Sequence, residues 1–521
     1  MVLDSSDLQQ RRTVAAPKRS TKKRPTNSRT SIRRRRRKSH PKNRSALVAL
    51  AFALIAIPVV LITTRLLGKG NTNGSSGASN RIVQNWKSHL KSNRVLNSAK
   101  NSSVDELEFE ERAKQREERY QYLYRPKFDE STLGYDIYNC PFAPPQDYPK
   151  AWKTTEVLSN WNPNDVTTLP PLHRDVYQGL CVFDYETQYA AALNYRNHEK
   201  PFVIRNDPKV TSVSRRWEDD PEYLHHVLGD VEEFRTERSP NNKFMWYKLR
   251  GKHSTPHGYH RPLNDEIEMT FGEWLEHAIE KDGKALGDKD MIASSSALKQ
   301  RRIHLISKMR EEQESKEDDS MGDDEQGLKG DDSEEAKKKR YYYFRLNADL
   351  KRATEASPSK FIYDQLTFFD PRKRRDSQFY IVDPKAERGI NCRFGMRGVT
   401  AANHFDMSRN MIAVFGGERR YILASPTQCK NMALFPQGHP SVRHSSLDWS
   451  NPMEWDDHPE FKGALINEVV LHAGDVLYLP TCWFHFIVNL SLNYQCNARS
   501  GTTYEATHFI EDCGFNMPRD K

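Results

Sequence analysis

Between Arg44 and Arg65 the chain runs for twenty residues without a charge, SALVALAFALIAIPVVLITT. As a helix such a segment is about 30 Å long, which matches the hydrocarbon core of a bilayer. Pro58 kinks a spanning helix without forbidding it. A buried core helix is one rival reading. A cleaved signal peptide is another, but it has a shorter apolar stretch and a shorter basic lead. The sequence therefore predicts one transmembrane signal-anchor helix over residues 45–64. Its orientation follows from the flanking charge. Residues 1–44 hold 16 Lys and Arg against 2 acids, whereas residues 65–100 hold 7 basic side chains. The basic side stays in the cytoplasm, so the expectation is a type II membrane protein of the endoplasmic reticulum or Golgi with a lumenal C-terminal domain. The run Arg33-Arg34-Arg35-Arg36-Arg37-Lys38 also allows a nuclear import signal or an arginine-type retention tag.

The tail accounts for the charge of the whole. The chain carries +10, and residues 1–44 carry +14; the remaining residues, with 64 basic against 68 acidic side chains, carry −4. No folded basic face is left to grip a polyanion, and nucleic acid is not expected as a partner. Apolar residues are 36% and charged residues 29%, so part of the chain lies outside any core. Two stretches explain this. Residues 68–80 are rich in Gly, Ser and Asn, a flexible stem. Residues 311–335 contain 13 acids and 2 lysines, a composition that cannot bury a core. The expected organisation is a basic disordered cytoplasmic tail over 1–44, the span over 45–64, a stem over 65–135 and a folded domain over 136–521. That domain has an N-terminal extension and an acidic disordered insert at about 285–338. Residues 104–125 read as a solvated helix within the stem. Seven cysteines occur with no CxxC pair, which disfavours a structural zinc site and neither requires nor excludes disulfides.

Beyond Tyr341 the sequence is strand-like almost to its end, with turns at Gly416-Gly417, Pro436-Gln437-Gly438 and Ala473-Gly474-Asp475. Within it stands His404-Phe405-Asp406. Two residues apart on a strand share a face, so this imidazole and carboxylate can share one metal. A second His from another strand would complete a 2-His-1-carboxylate triad, the arrangement suited to non-haem Fe(II). His485, in the aromatic strand Trp483-Phe484-His485-Phe486, is the candidate. The other His-x-Asp pair, His173-Arg174-Asp175, lacks the companions of a kinase loop and reads as a surface turn. Gly416-Gly417 is a two-residue hairpin signal. Closing a hairpin there puts Arg419 and Tyr421 on the face of His404, Asp406, Asn410 and Val414, and Arg420 on the opposite face. Arg419 could then meet the far carboxylate of a metal-chelating dicarboxylate, as 2-oxoglutarate requires.

These residues resemble a known family. The stretch Gly395-Met396 through His404-Phe405-Asp406 and Asn410 to Arg419-Arg420-Tyr421-Ile422-Leu423 is similar to the cupin-like JmjC dioxygenases, and most of all to the asparaginyl hydroxylases that inhibit hypoxia-inducible factor. GDVLYLP followed by Trp483-Phe484-His485 resembles the family's distal-histidine strand, and KPFVIRN at 200–206 its entry strand. The resemblance covers roughly residues 180–505. It implies a mainly β fold, a double-stranded β-helix (cupin/JmjC jelly roll) with flanking helices, binding Fe(II) with 2-oxoglutarate as cosubstrate. By position His404, Asp406 and His485 would hold iron. Arg419 would replace the family's cosubstrate lysine, and Asn410 and Asn497 would lie near the cofactor. Thr400 stands one residue from the family's cofactor-binding threonine, where this chain has Ala401. The implied reaction is hydroxylation of a protein side chain. A non-catalytic lumenal cupin and a nuclear, histone-directed JmjC enzyme are the alternatives. Oligomeric state is not legible.

The topology can be read chemically. Asn-x-Ser/Thr sequons occur at Asn43, Asn73, Asn101 and Asn489. Lumenal placement exposes those after residue 65 to glycosylation. Asn101 is the best reporter, since Asn73 lies close to the membrane and Asn489, in the turn that follows the His485 strand, is expected to be protected by burial. The expected result is a glycosidase-sensitive mass shift that Asn101→Gln abolishes. An unshifted protein with a protease-accessible C-terminal domain in sealed microsomes would reverse the topology.

Overall fold

The computed structural model describes residues 103–127, 130–167, 173–218, 221–247, 262–314, 340–353 and 357–516. The expected tail (1–44), span (45–64) and first part of the stem lie outside the described residues. Among the described residues no helix is long and apolar enough to cross a membrane.

The first described element is helix α1 (Ser103–Leu123). It forms where a solvated helix is expected, but its C-terminal half is docked. Tyr120 and Leu123 are buried, and the Tyr120 hydroxyl donates to the Val470 carbonyl at 2.7 Å. Arg116 pairs with Glu218, Arg119 with Glu418 and Glu117 with His472. The charges that suggested solvation in the sequence thus find opposite charges on the domain.

Fifteen strands build two facing sheets. In chain order they are β1 (Trp152–Lys153), β2 (Val182–Asp184), β3 (Phe202–Arg205), β4 (Glu233–Ser239), β5 (Lys243–Phe244), β6 (Asp265–Thr270), β7 (Tyr341–Ala348) and β8 (Glu387–Gly395). Then come β9 (Thr400–Phe405), β10 (Arg409–Gly416), β11 (Glu418–Ala424), β12 (Leu465–His472), β13 (Val476–Leu479), β14 (Phe484–Asn489) and β15 (Asn493–Ser500). One sheet has the order β2-β3-β13-β10-β15-β8-β7-β4-β6, and the other β1-β12-β11-β14-β9-β5. Side chains from both meet in a shared interior of Ile412, Val414, Tyr421, Leu423, Val469, Leu477 and Ile487. The outer faces are covered as well, so β11 and β14 are buried along their whole length. Two-sided burial is why these strands read as unbroken apolar runs rather than alternating ones.

This arrangement corrects the hairpin reading. β10 pairs with β13 and β15, and β11 with β12 and β14; the two strands around Gly416-Gly417 lie in different sheets. Gly417 turns the chain at φ +67°, and the Leu492 carbonyl lies 1.9 Å from where a Cβ would stand. The turn crosses the core. Arg419 and Tyr421 still look toward Ile412 and Val414, because the inner faces of two opposed sheets see one another.

The insert boundary is also corrected. After helix α2 (Phe271–Leu286), capped by Thr270 as its sequence predicts, helix α3 (Lys289–Glu314) runs through the first part of the region expected to be disordered. Ser295 donates to the Glu276 carbonyl at 2.9 Å and Arg302 pairs with Glu276 at 3.0 Å. Leu298 packs on the core. The strongly acidic composition begins only at Glu311, so the expected start was too early. Residues 315–339 lie outside the described residues.

Three disulfides link Cys140 to Cys181, Cys392 to Cys496 and Cys429 to Cys513. The second joins β8 to β15, and the third ties the segment after β11 to helix α4 (Tyr504–Asp512) and the residue that follows it. Cys482 is free and buried.

Arg420 is wholly buried on the outer face of β11. It pairs with Glu468 of β12, donates to the Trp161 carbonyl at 2.8 Å and stacks on the Trp161 ring. Glu468 also accepts from the Tyr177 amide at 2.8 Å. The pair fastens the N-terminal extension to the sheet. Removing one partner strands the other charge, so Arg420→Ala is expected to cost ~3–5 kcal/mol. Arg420→Met with Glu468→Leu should recover most of it, as read by denaturant unfolding.

Candidate metal centre

The site is set by one strand pair. β9 and β14 run antiparallel with His404 directly opposite His485 and Phe405 opposite Phe484. Cross-strand partners share a face, so both imidazoles point into the same space, with ring centroids 4.2 Å apart. A register shift lies between Ala401 and His404, the kind of bulge that re-aims a side chain near a site. Asp406 follows just past the end of β9, its carbonyl held by the Cys482 amide at 2.8 Å. One ligand atom from each of His404, Asp406 and His485 lies within 4.8 Å of the others.

Backbone contacts orient the rings. Nδ1 of His404 donates to the Ala402 carbonyl at 2.8 Å, and Nδ1 of His485 to the Trp483 carbonyl at 3.0 Å. Each Nε2 is left as the donor atom for a metal. Burial, and then the neighbouring imidazoles, hold His404 well below the usual histidine range. Burial lowers His485 too. Both are therefore neutral at neutral pH, the form that binds a metal. Burial pushes the Asp406 carboxyl up, but Arg499 at 2.6 Å and the two imidazoles outweigh it and keep the acid ionised. Two neutral imidazoles and one carboxylate on one face, with open positions, are the donor set of non-haem iron.

His404 and His485 line a cavity of about 140 Å³, and Asn410, which bonds Asp406, lines it with them. Larger cavities, of about 260, 460 and 520 Å³, contain none of the three ligands. The chemistry therefore singles out the smaller cavity. Asn410 and Asn497 line it, with their amides 2.6 Å apart, and Asn410 Nδ2 donates to Asp406 Oδ2 at 3.2 Å. Thr400 is not among its lining residues. Its hydroxyl turns to the Gly398 carbonyl and the Asn242 amide, while Ala401 faces the cavity. Adjacent residues of a strand point to opposite faces, so Thr400 turns away from the cavity that Ala401 lines and its expected cofactor role is corrected.

Arg419 is fully buried behind the cavity wall rather than in it. It donates to Asn493 at 2.5 Å, to Gln495, and at 3.3 Å to the Tyr343 hydroxyl and the Arg393 carbonyl. Every one of these partners is neutral. A buried guanidinium without a carboxylate partner is costly unless an anion joins it. Tyr343, Gln495 and Tyr421 form the wall between Arg419 and the cavity. That fits a second carboxylate arriving there.

Sequence reasoning missed several groups. Arg499, next but one after Asn497 on β15, is the counter-ion of Asp406. His444 stacks on His404 with centroids 4.9 Å apart, and burial, then Arg443, brings its pKa down to about 4. It lies in an irregular segment, where no periodicity marks it. Tyr343, Arg345 and Arg393 reach the cavity through β7 and β8, which pair beside β15; only the sheet order reveals this.

Comparisons with known proteins give the family of the fold. A model of the cupin-like domain matches residues 190–499. Lysine-specific demethylase JMJ31 of Arabidopsis thaliana is 26% identical over 118 residues, covering 22% of this chain and 21% of the relative. tRNA wybutosine-synthesizing protein 5 of Danio rerio is 27% identical over 150 residues, or 29% of this chain and 40% of the relative. Lysine-specific demethylase 8 of Xenopus tropicalis is 29% identical over 108 residues, or 20% and 24%. The chain thus spans under half the length of these curated relatives.

Iron content tests the trio. His404→Ala, Asp406→Ala and His485→Ala should each lose bound iron while the far-ultraviolet circular dichroism stays unchanged, because a three-ligand site has no ligand to spare. Full iron occupancy in His485→Ala would exclude that residue as a ligand.

Proposed function

We propose, for a chain that belongs to the cupin-like, JmjC-type domain family, that it is an Fe(II)- and 2-oxoglutarate-dependent dioxygenase hydroxylating a protein side chain. The observation that carries this reading is the trio of His404, Asp406 and His485 facing a small cavity, with a counter-ion-free Arg419 behind its wall. Iron held there by His404, Asp406 and His485 would supply O2 chemistry that turns a substrate C–H into C–OH, with 2-oxoglutarate converted to succinate and CO2. The chain's own residues do the rest. Arg499 and Asn410 fix the Asp406 carboxylate in one orientation. Asn497 holds the Asn410 amide. Arg419, through Tyr343 and Gln495, receives the far carboxylate of the cosubstrate. Trp483 and Phe484 beside His485 keep the buried side of the trio free of water.

The proposal places this domain in the lumen of the endoplasmic reticulum or Golgi, held by the span over residues 45–64. The three disulfides support it, since the cytosol and nucleus keep thiols reduced. They also weigh against the nuclear reading. The likeness to asparaginyl hydroxylases makes a protein side chain the proposed substrate; the demethylase and wybutosine names belong to the relatives that carry them.

The test is iron-dependent succinate release from 2-oxoglutarate by the purified protein. Its absence in a protein that binds iron would leave a non-catalytic cupin. Arg419→Gln should raise the 2-oxoglutarate KM severalfold, because it removes the cation behind the Tyr343 and Gln495 wall. Arg420→Met with Glu468→Leu should leave that KM unchanged.

A further inference from the structure

Two arginines, Arg345 and Arg393, line the metal cavity together with Glu237, while Arg499 and Arg443 act on the Asp406 carboxylate beside it. Arg499 pairs with Asp406. Arg345 pairs with Glu237 at 2.8 Å and Glu266 at 3.3 Å. Arg393, which lines the cavity, bonds only neutral oxygens, Asn347 Oδ1 at 2.7 Å and the Cys392 carbonyl at 2.8 Å. It stands directly across from Arg345 on the neighbouring strand, where like charges repel. Burial, and then Arg345, pulls its pKa down to about 9. Arg443 forms no ion pair with a described carboxylate and lies over the Trp246 ring at 5.6 Å. Its backbone is left-handed, at φ +80°. A non-glycine residue held there marks a position that the surrounding structure imposes, often at a functional site. Trp246 lines the same cavity and is 40% exposed.

On the reading above, iron and the cosubstrate account for the trio and Arg419. Neither uses Arg393 or Arg443. We propose that Arg393 and Trp246, which line the cavity, and Arg443, which lies over the Trp246 ring, form a subsite for a carboxylate side chain of the substrate, so that the protein acts on acidic peptide segments. Each guanidinium offers a planar fork that matches a carboxylate. The Trp246 face supplies apolar contact for the peptide stem. A cavity of about 140 Å³ admits a side chain rather than a folded surface. A nucleic acid is less suited: the chain beyond residue 44 carries −4.

The inference rests on the dioxygenase reading, and the experiment separates the two. The full-length protein, loaded with Mn(II) and 2-oxoglutarate without oxygen, is titrated with a fluorescein-labelled aspartate-rich peptide and its asparagine counterpart. The aspartate peptide should bind about tenfold tighter or better. Arg393→Gln and Arg443→Gln should each remove about a factor of ten for it and leave the asparagine peptide unchanged. Arg393→Lys should keep much of the preference, and Arg374→Gln, on an exposed helix, should keep all of it. Peptide-independent succinate release reads the dioxygenase on its own, so its loss with the preference intact removes the enzyme and not the subsite. Equal binding of the two peptides overturns the subsite. So does a rise in 2-oxoglutarate KM in the Gln variants, which would give the cations to the cosubstrate. Tighter, Arg393-dependent binding of a single-stranded RNA probe also overturns it.

Discussion

The pairing of His404 with His485 across β9 and β14 is the constraint on which the site depends. Strand pairing fixes where two side chains stand to within the tolerance of a hydrogen-bond ladder, whereas two histidines on loops would need separate support. The ladder supplies position, and the Ala402 and Trp483 carbonyls supply ring orientation. Only Asp406 lies past the ladder. It is held instead by the Cys482 amide, by Asn410 and by Arg499. Metal geometry is thus a consequence of sheet register. A one-residue slip of β9 on β14 would turn His404 away from His485 and end the site.

The two adjacent arginines of β11 show how the same charge serves opposite purposes on two faces. Arg420 is buried against Glu468, two backbone carbonyls and an indole, so its charge is compensated within the fold. Arg419 is equally buried but meets only amides, a phenol and a carbonyl. The first arrangement is structural: it ties the extension to the sheet. The second stores a deficit that a bound dianion can relieve. A site that must take up and release a charged cosubstrate is better served by incomplete compensation than by a permanent partner.

Much of the site was legible because period-two logic applies to strands wherever they pair. His404 and Asp406 share a face on sequence grounds alone, and His485 stood out among aromatics in a strand. The division of Arg419 and Arg420 between faces was also legible, although the hairpin used to derive it does not exist. A crossing turn between opposed sheets preserves the inward parity that a hairpin would give, so the right face followed from the wrong partner. What the sequence concealed is long-range. Tyr343, Arg345 and Arg393 reach the cavity only because β7, β8 and β15 are neighbours, and no local pattern encodes that order. The start of α3 was missed because residues around it were grouped with the acids that follow. The docking of α1 was missed because ion pairs with Glu218, Glu418 and His472 look, in sequence, like solvated charge.

Cysteine usage carries the last step. Six cysteines are consumed in three bridges that join segments 41, 84 and 104 residues apart, each closing a long loop, which constrains the unfolded chain strongly. Cys482 is left over, and it is the cysteine nearest the metal ligands in sequence and in space, with its amide on the Asp406 carbonyl. Burial pushes its thiol up to about 12, which disfavours the nucleophilic thiolate. Its backbone is left-handed, at φ +63°, as the chain turns from β13 into β14. The position is therefore needed for its amide, which anchors the carboxylate ligand. Every other cysteine is locked in a bridge, which leaves this buried thiol as the one free cysteine among the described residues.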